Sequence, residues 1–249
     1  MNNFDHGRFD RLPDAVLFDL DNTLYAYDPA HAAGMEAVRE KVRSTLSVSV
    51  QDFDKAFVQA RQEVKARLKE TAASHSRLIY MQRMLEIIGL GSQVLLALDL
   101  EQTYWRTFLG RARLFDEVRE LLDDLRLAGI PSGVVTDLTA QIQFRKLVYF
   151  GLDSSFDCVV TSEEAGCEKP HAAPFRMAVA KLQPRGERVW MIGDNPVTDT
   201  RGARLAIDAV TLQKVHDGVD VGRGADSADA TFTQFAAVRH LIARLGDRS

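Results

Sequence analysis

Two carboxylates, Asp19 and Asp21, stand with one residue between them at the end of the apolar run AVLFDL. Like charges that close raise each other's ionisation cost, so the pair needs a neutralising partner. Three later stretches supply further polar groups. SGVVTD ends in Thr136 and Asp137, EKP holds Lys169, and GDNPVTD holds Asp194 and Asp199. The collection is acids, one hydroxyl and one lysine. Several carboxylates converging on one point suit a hard cation with oxygen ligands, and Mg²⁺ is the natural choice. Such a cation keeps a neighbouring aspartate ionised and bridges to a phosphoryl oxygen. A carboxylate attacking phosphorus gives an aspartyl-phosphate. A second carboxyl group nearby can protonate the leaving oxygen and then deprotonate water. The hydroxyl and the lysine would stabilise charge on the transferring group. These positions contain no glycine-rich phosphate loop and no Ser-His-Asp set.

The elements that must position these groups follow from the hydrophobic pattern. Ala15 to Leu20 reads as a buried strand. From about Pro29 to Leu109 the chain reads as helix almost throughout, with no β-branched block. One helix begins at Pro29, where the missing N–H costs nothing. A second carries Phe53, Phe57, Val64 and Leu68 at near-helical spacing. A third follows Ser74 as its cap and stops at Gly89, and a fourth includes VLLALDLEQTYWRTFL. Beyond about Arg111 helices alternate with the apolar strands IPSGVVTD, FDCVVTS, RVWMIGD and DAVTLQK. That alternation predicts an α/β fold: a parallel sheet of Rossmann-like type with helices on both faces. The opening strand must join this sheet, so the helical block is an insertion. The expected division is an α/β core of residues 1–24 and 111–249 with an all-helical domain of 25–110. Ligands of such sheets bind beyond the carboxyl ends of the strands, where the acids cluster.

A chain of 249 residues with 46% apolar and 27% charged residues suits one large domain, or one with an inserted lobe. The net charge of −4 disfavours a general nucleic-acid binder. Cys158 and Cys167 have no metal-site spacing and read as free thiols in a reducing compartment. The segment MNNFDHGRFDRLPD lacks an apolar signal core, and no run is long enough to span a bilayer. The expectation is a cytoplasmic monomer or homodimer with no nucleic-acid or membrane partner.

FDLDNTL, VVTD, EKP and GDNPVTD resemble, in order, the four motifs of the haloacid dehalogenase-like hydrolase superfamily. The insertion between the first two resembles the subgroup with a helical cap, which is rich in phosphatases. The resemblance implies that Asp19 is the nucleophile and a metal ligand. Asp21 would be the general acid/base, its backbone carbonyl a metal ligand. Thr136 would hydrogen-bond the phosphate, Lys169 would orient Asp19, and Asp194 would be the acidic metal ligand. Asp199 would act through water or by holding Lys169, or it could cap the helix DTRGARLA. Asp137 replaces a more frequent Asn and is a candidate substrate contact. In the cap, Tyr25 and Tyr27 could line the entrance, and Arg77 and Arg106 could hold a substrate carboxylate or second phosphate. The activity expected is Mg²⁺-dependent hydrolysis of a small phosphorylated metabolite: a sugar phosphate, a phosphoglycolate-like acid or a nucleotide. A phosphomutase, a metal-independent dehalogenase and a non-catalytic binding module are the alternatives.

Overall fold

The computed structural model describes residues 1, 5 and 7–247. Part of the N-terminal segment read for a signal core, residues 2–4 and 6, lies outside them. The chain divides into two compact units, residues 1–26 with 113–249, and residues 27–112.

The larger unit is a sheet of six parallel strands among the described residues. In chain order they are β1 (Ala15–Phe18), β2 (Ser132–Thr136), β3 (Cys158–Thr161), β4 (Val189–Gly193), β5 (Val210–Lys214) and β6 (Ala230–Phe232). Their spatial order is β3-β2-β1-β4-β5-β6. The first strand therefore lies between β2 and β4, with Val16 opposite Ser132 on one side and Trp190 on the other. Every residue of β1, β2, β4 and β5 is buried, as expected where helices cover both faces. One layer of this core joins Leu17, Val135, Val160 and Met191 of the sheet to Phe175 and Ala178 of α7 (Ala172–Leu182). Helices α5 (Val118–Leu127) and α8 (Phe235–Gly246) bury apolar stripes of helical period, Val118, Leu121 and Leu125 in the first and Phe235, Val238, Leu241 and Leu245 in the second. The sixth strand is absent from the sequence reading. It is three residues long, too short for period-two alternation to register.

The smaller unit contains α1 (Tyr27–Leu46), α2 (Val50–Leu68), α3 (Arg77–Ile87) and α4 (Val94–Arg111). A Cβ at Gly34 of α1 would come within 2.9 Å of the Tyr104 ring, so glycine lets α1 and α4 approach closely. The cap of α3 is Ser76 rather than Ser74: its hydroxyl accepts from Ile79 N at 3.3 Å. Residues Ala72–His75 instead form a 3₁₀ turn, and the Ser74 carbonyl accepts the Tyr80 hydroxyl. No helix among the described residues is long and apolar enough to cross a membrane.

Candidate active site

The carboxyl ends of β1, β2 and β4 gather the acids. Just past β1, the Asp19 amide donates to the Ile192 carbonyl of β4 at 2.9 Å, which fixes Asp19 against the neighbouring strand. Its side chain is buried, and Lys169 Nζ donates to its Oδ1 at 2.7 Å. The same ammonium donates to Asp199 Oδ1, also at 2.7 Å. The lysine's backbone is held too, because Lys169 N donates to Asp137 Oδ1 at 3.0 Å. Asp137, read from the sequence as a candidate substrate contact, thus spends one carboxylate oxygen on fixing the lysine loop.

Asp199 is no helix cap. Asn195 fills that role, its side-chain oxygen accepting from Val197 N and Thr198 N at 2.9 and 3.0 Å. The segment Pro196–Arg201 is a π-helical turn, and this wider winding lets Asp199 Oδ2 accept from Asn195 N at 3.0 Å while Oδ1 faces Lys169. A Cβ at Gly193 would lie 2.4 Å from the Asp199 Cβ. Glycine at the end of β4 therefore lets that carboxylate sit beside the strand.

Asp194 completes the set. Oxygens of Asp19, Asp194 and Asp199 all lie within 4.8 Å of one another. Thr23 Oγ1 stands between two of them, 2.9 Å from Asp19 Oδ2 and 3.4 Å from Asp194 Oδ1. Burial pushes the Asp194 carboxyl up to about 8, helped by the charges of Asp19 and Asp199. Burial likewise raises Asp19 to about 7 against the pull of Lys169. Asp199 already serves Lys169, which leaves Asp19 and Asp194 as one lysine-bound and one uncompensated carboxylate. An all-oxygen donor set with surplus negative charge fits a hard divalent cation.

Asp21 sits in a separate cradle that sequence reasoning missed. Lys146 Nζ is 2.7 Å from both of its carboxylate oxygens. The Tyr25 hydroxyl also donates to Asp21, and Gln143 Nε2 lies 3.4 Å from Oδ2. Burial is the largest single influence and would raise this carboxyl, but the Lys146 charge together with the hydrogen bonds from Lys146, Tyr25 and Gln143 outweighs it and holds Asp21 below its usual range. Gln143 and Lys146 lie on α6 (Ala140–Tyr149), both fully buried, while Phe144 and Val148 on the same helix are 49% and 64% exposed. That inverted amphipathy was the available signal: polar residues at i and i+3 occupy the face a helix normally gives to apolar ones. Gln143 Nε2 also donates to Thr136 Oγ1 at 2.7 Å and to the Asp137 carbonyl at 2.6 Å, which ties β2 to the cradle.

The Lys146–Asp21 pair should show measurable coupling. Lys146→Met is expected to cost roughly 2–4 kcal/mol in chemical denaturation, toward the low end because the Asp21 side chain keeps a quarter of its exposure. In the double variant with Asp21→Asn the losses should fall short of additive by about 1 kcal/mol or more. Strict additivity would show that the pair does not hold Lys146 in place.

The remaining candidates separate. Tyr25 is a strut rather than an entrance residue: it is fully buried, its hydroxyl is spent on Asp21, and its ring packs on Phe150 at 4.9 Å. Arg106 is exposed on α4 and lies outside the residues around the cavity of the helical unit. Arg77 and Tyr27 do line that cavity. Cys158 and Cys167 are free thiols.

Residues 13–206 match the family described as haloacid dehalogenase-like hydrolase. Over 235 residues the chain is 37% identical to a ribulose-1,5-bisphosphate 5-phosphatase of Halopiger xanaduensis, covering 94% of this chain and 96% of that protein. It is 31% identical over 192 residues to a glyceraldehyde 3-phosphate phosphatase of Methanopyrus kandleri, covering 77% and 80%. Among solved structures it resembles a phosphatase of the same superfamily from Thermococcus onnurineus, with TM-score 0.70 and 21% identity over 92% of this chain and 97% of the other.

Proposed function

Because the chain belongs to the haloacid dehalogenase-like hydrolases, we propose that it hydrolyses phosphate monoesters of small metabolites through an aspartyl-phosphate on Asp19, with Mg²⁺ as cofactor. The observation that carries this reading is the buried carboxylate Asp19, held at 2.7 Å by Lys169 at a strand end, with a second carboxylate two residues on. Two of its relatives are named as phosphatases of sugar or triose phosphates, which favours substrates of that size.

In the first step an Asp19 oxygen forms a bond to phosphorus and the ester P–O bond breaks. The leaving oxygen takes a proton from Asp21. In the second step water attacks phosphorus, gives its proton to Asp21, and the Asp19–phosphorus bond breaks to release phosphate. Lys169 holds Asp19 in place and offsets charge in both steps. The Thr136 hydroxyl would contact the phosphoryl oxygens. Mg²⁺ held by Asp19, Asp194 and the Asp21 carbonyl would neutralise these carboxylates against the incoming phosphate. Paired with Lys146, Asp21 is an ionised base, ready for the second step. For the first it must acquire a proton, which means loosening its pair with Lys146.

The test is release of inorganic phosphate, with Mg²⁺ present, from ribulose 1,5-bisphosphate, glyceraldehyde 3-phosphate and phosphoserine. The expected result is phosphate released in step with dephosphorylated product from at least one. No release from any of them, or transfer of the phosphoryl group between substrates without free phosphate, would overturn the reading.

A further inference from the structure

The helical unit has a half-open cavity of about 450 Å³ of its own. Arg39, Arg61 and Arg77 contribute guanidiniums to its wall, against two carboxylates, Asp28 and Asp54. Asp54 is already taken, since Arg39 Nε donates to it at 2.7 Å. Among the described residues neither Arg77 nor Arg61 has a carboxylate partner.

Arg77 is the unusual group. Its Nη1 donates to the His75 carbonyl at 2.8 Å and its Nη2 to the Tyr27 hydroxyl. Its Nε is buried with no partner. The guanidinium carbon lies 5.5, 5.4 and 5.9 Å from the ring centres of Tyr80, Tyr104 and Trp105. Every neighbour named is neutral. His31 is neutral as well: Nδ1 is 2.7 Å from the Tyr104 hydroxyl, and burial together with the Arg77 charge pushes its imidazole down to about 4. A cation enclosed this way, with one donor unsatisfied, is costly unless a counter-charge arrives. The rings offset only part of that cost. A guanidinium with a spare N–H beside open volume is shaped for a planar or tetrahedral oxyanion.

We propose that this cavity is an oxyanion-binding site, taking a phosphate or carboxylate group on Arg77 with help from Arg61. The anion has two possible sources, a second acidic group of the substrate or a free small anion. The first source rests on the phosphatase reading; the site itself does not.

Trp105 is a built-in reporter. The chain has two tryptophans, and Trp190 lies in the sheet of the other unit, so Trp190→Phe leaves Trp105 alone beside Arg77. Titration of the full-length protein with sodium phosphate, against sodium chloride at matched ionic strength, should change Trp105 emission saturably. Wild type read with both tryptophans should show the same midpoint. Arg77→Met should raise that midpoint about tenfold or more, and Arg77→Lys should recover part of the loss. If Arg77→Met fails to fold by circular dichroism, the exposed change Arg61→Gln should still raise the midpoint a few-fold. No saturable response, or a midpoint indifferent to both arginines, overturns the proposal. The sources separate in a second arm. If the anion belongs to the substrate, Arg77→Met lowers the kcat/KM ratio of ribulose 1,5-bisphosphate over ribulose 5-phosphate about tenfold. If the anion is free, that ratio holds while phosphate binding at Trp105 is lost. The fluorescence arm needs no turnover, so it stands even if no phosphate ester is cleaved.

Discussion

Asp19→Asn is expected to lower the rate of phosphate release by roughly four to six orders of magnitude while the fold survives, a scale set by loss of the attacking group. An amide fills the same volume but does not form the phosphoryl bond. Asp19 is buried and accepts from Lys169 and Thr23. Those donors lose a charged acceptor, yet Lys169 keeps Asp199 at 2.7 Å and is not left without a counter-ion. The substitution also relieves repulsion among Asp19, Asp194 and Asp199. These effects oppose one another, so the stability change should stay within about 1–2 kcal/mol. Phosphate release and urea denaturation on the same preparation check both halves. Turnover near wild type in a folded variant would move the nucleophile elsewhere.

Removal of divalent metal is expected to cost about a thousandfold or more in activity, restored by Mg²⁺ and poorly by Ca²⁺, whose longer bonds and higher coordination number suit the pair Asp19 and Asp194 less well. The metal should also reveal itself through pH. Folding raises Asp19 to about 7 and Asp194 to about 8, in both cases chiefly through burial. Because these values lie above those of the unfolded chain, the metal-free fold is favoured by their protonation at low pH. That contribution is lost as pH rises through 7 and 8. A cation must displace those protons below this range and meets ionised carboxylates above it. The rise in Tm given by a fixed Mg²⁺ concentration should therefore grow from pH 6 to pH 9. Calorimetry in buffers of different ionisation enthalpy should find about one to two protons released per ion at pH 6.5. Ordinary carboxylates would give a flat dependence over the same interval. A flat profile, or full activity in excess chelator, would mean that these two acids do not hold a catalytic metal.

Much of the architecture is set by local sequence. The apolar runs ending in Asp19, Thr136 and Asp194 mark strands and place polar groups at their carboxyl ends, because a buried parallel strand is a short continuous apolar block. The helical block between them is legible from the spacing of Phe53, Phe57 and Val64, all of which are buried in α2. Residues 13–206, which match one family, include those same ordered stretches.

What the tertiary structure decided concerns partners far apart in the chain. Lys146 meets Asp21 across 125 positions, and Lys169 meets Asp19 across 150. The second pairing follows a motif; the first does not, since nothing local says which way an α6 lysine turns. Tyr25 and Asp137 look like substrate contacts by sequence proximity to the acids and hydroxyl at the strand ends, yet packing commits the first to Asp21 and the second to the Lys169 amide. Arg77 and Arg106 are equivalent in sequence as arginines among aromatics. Only the assembled helices leave one exposed and enclose the other among three rings without a counter-charge. Hydrophobic period reports which face of an element is buried. It carries no information on which distant polar group will be waiting there, and that is settled by chain topology and by the cost of leaving a buried charge unpaired.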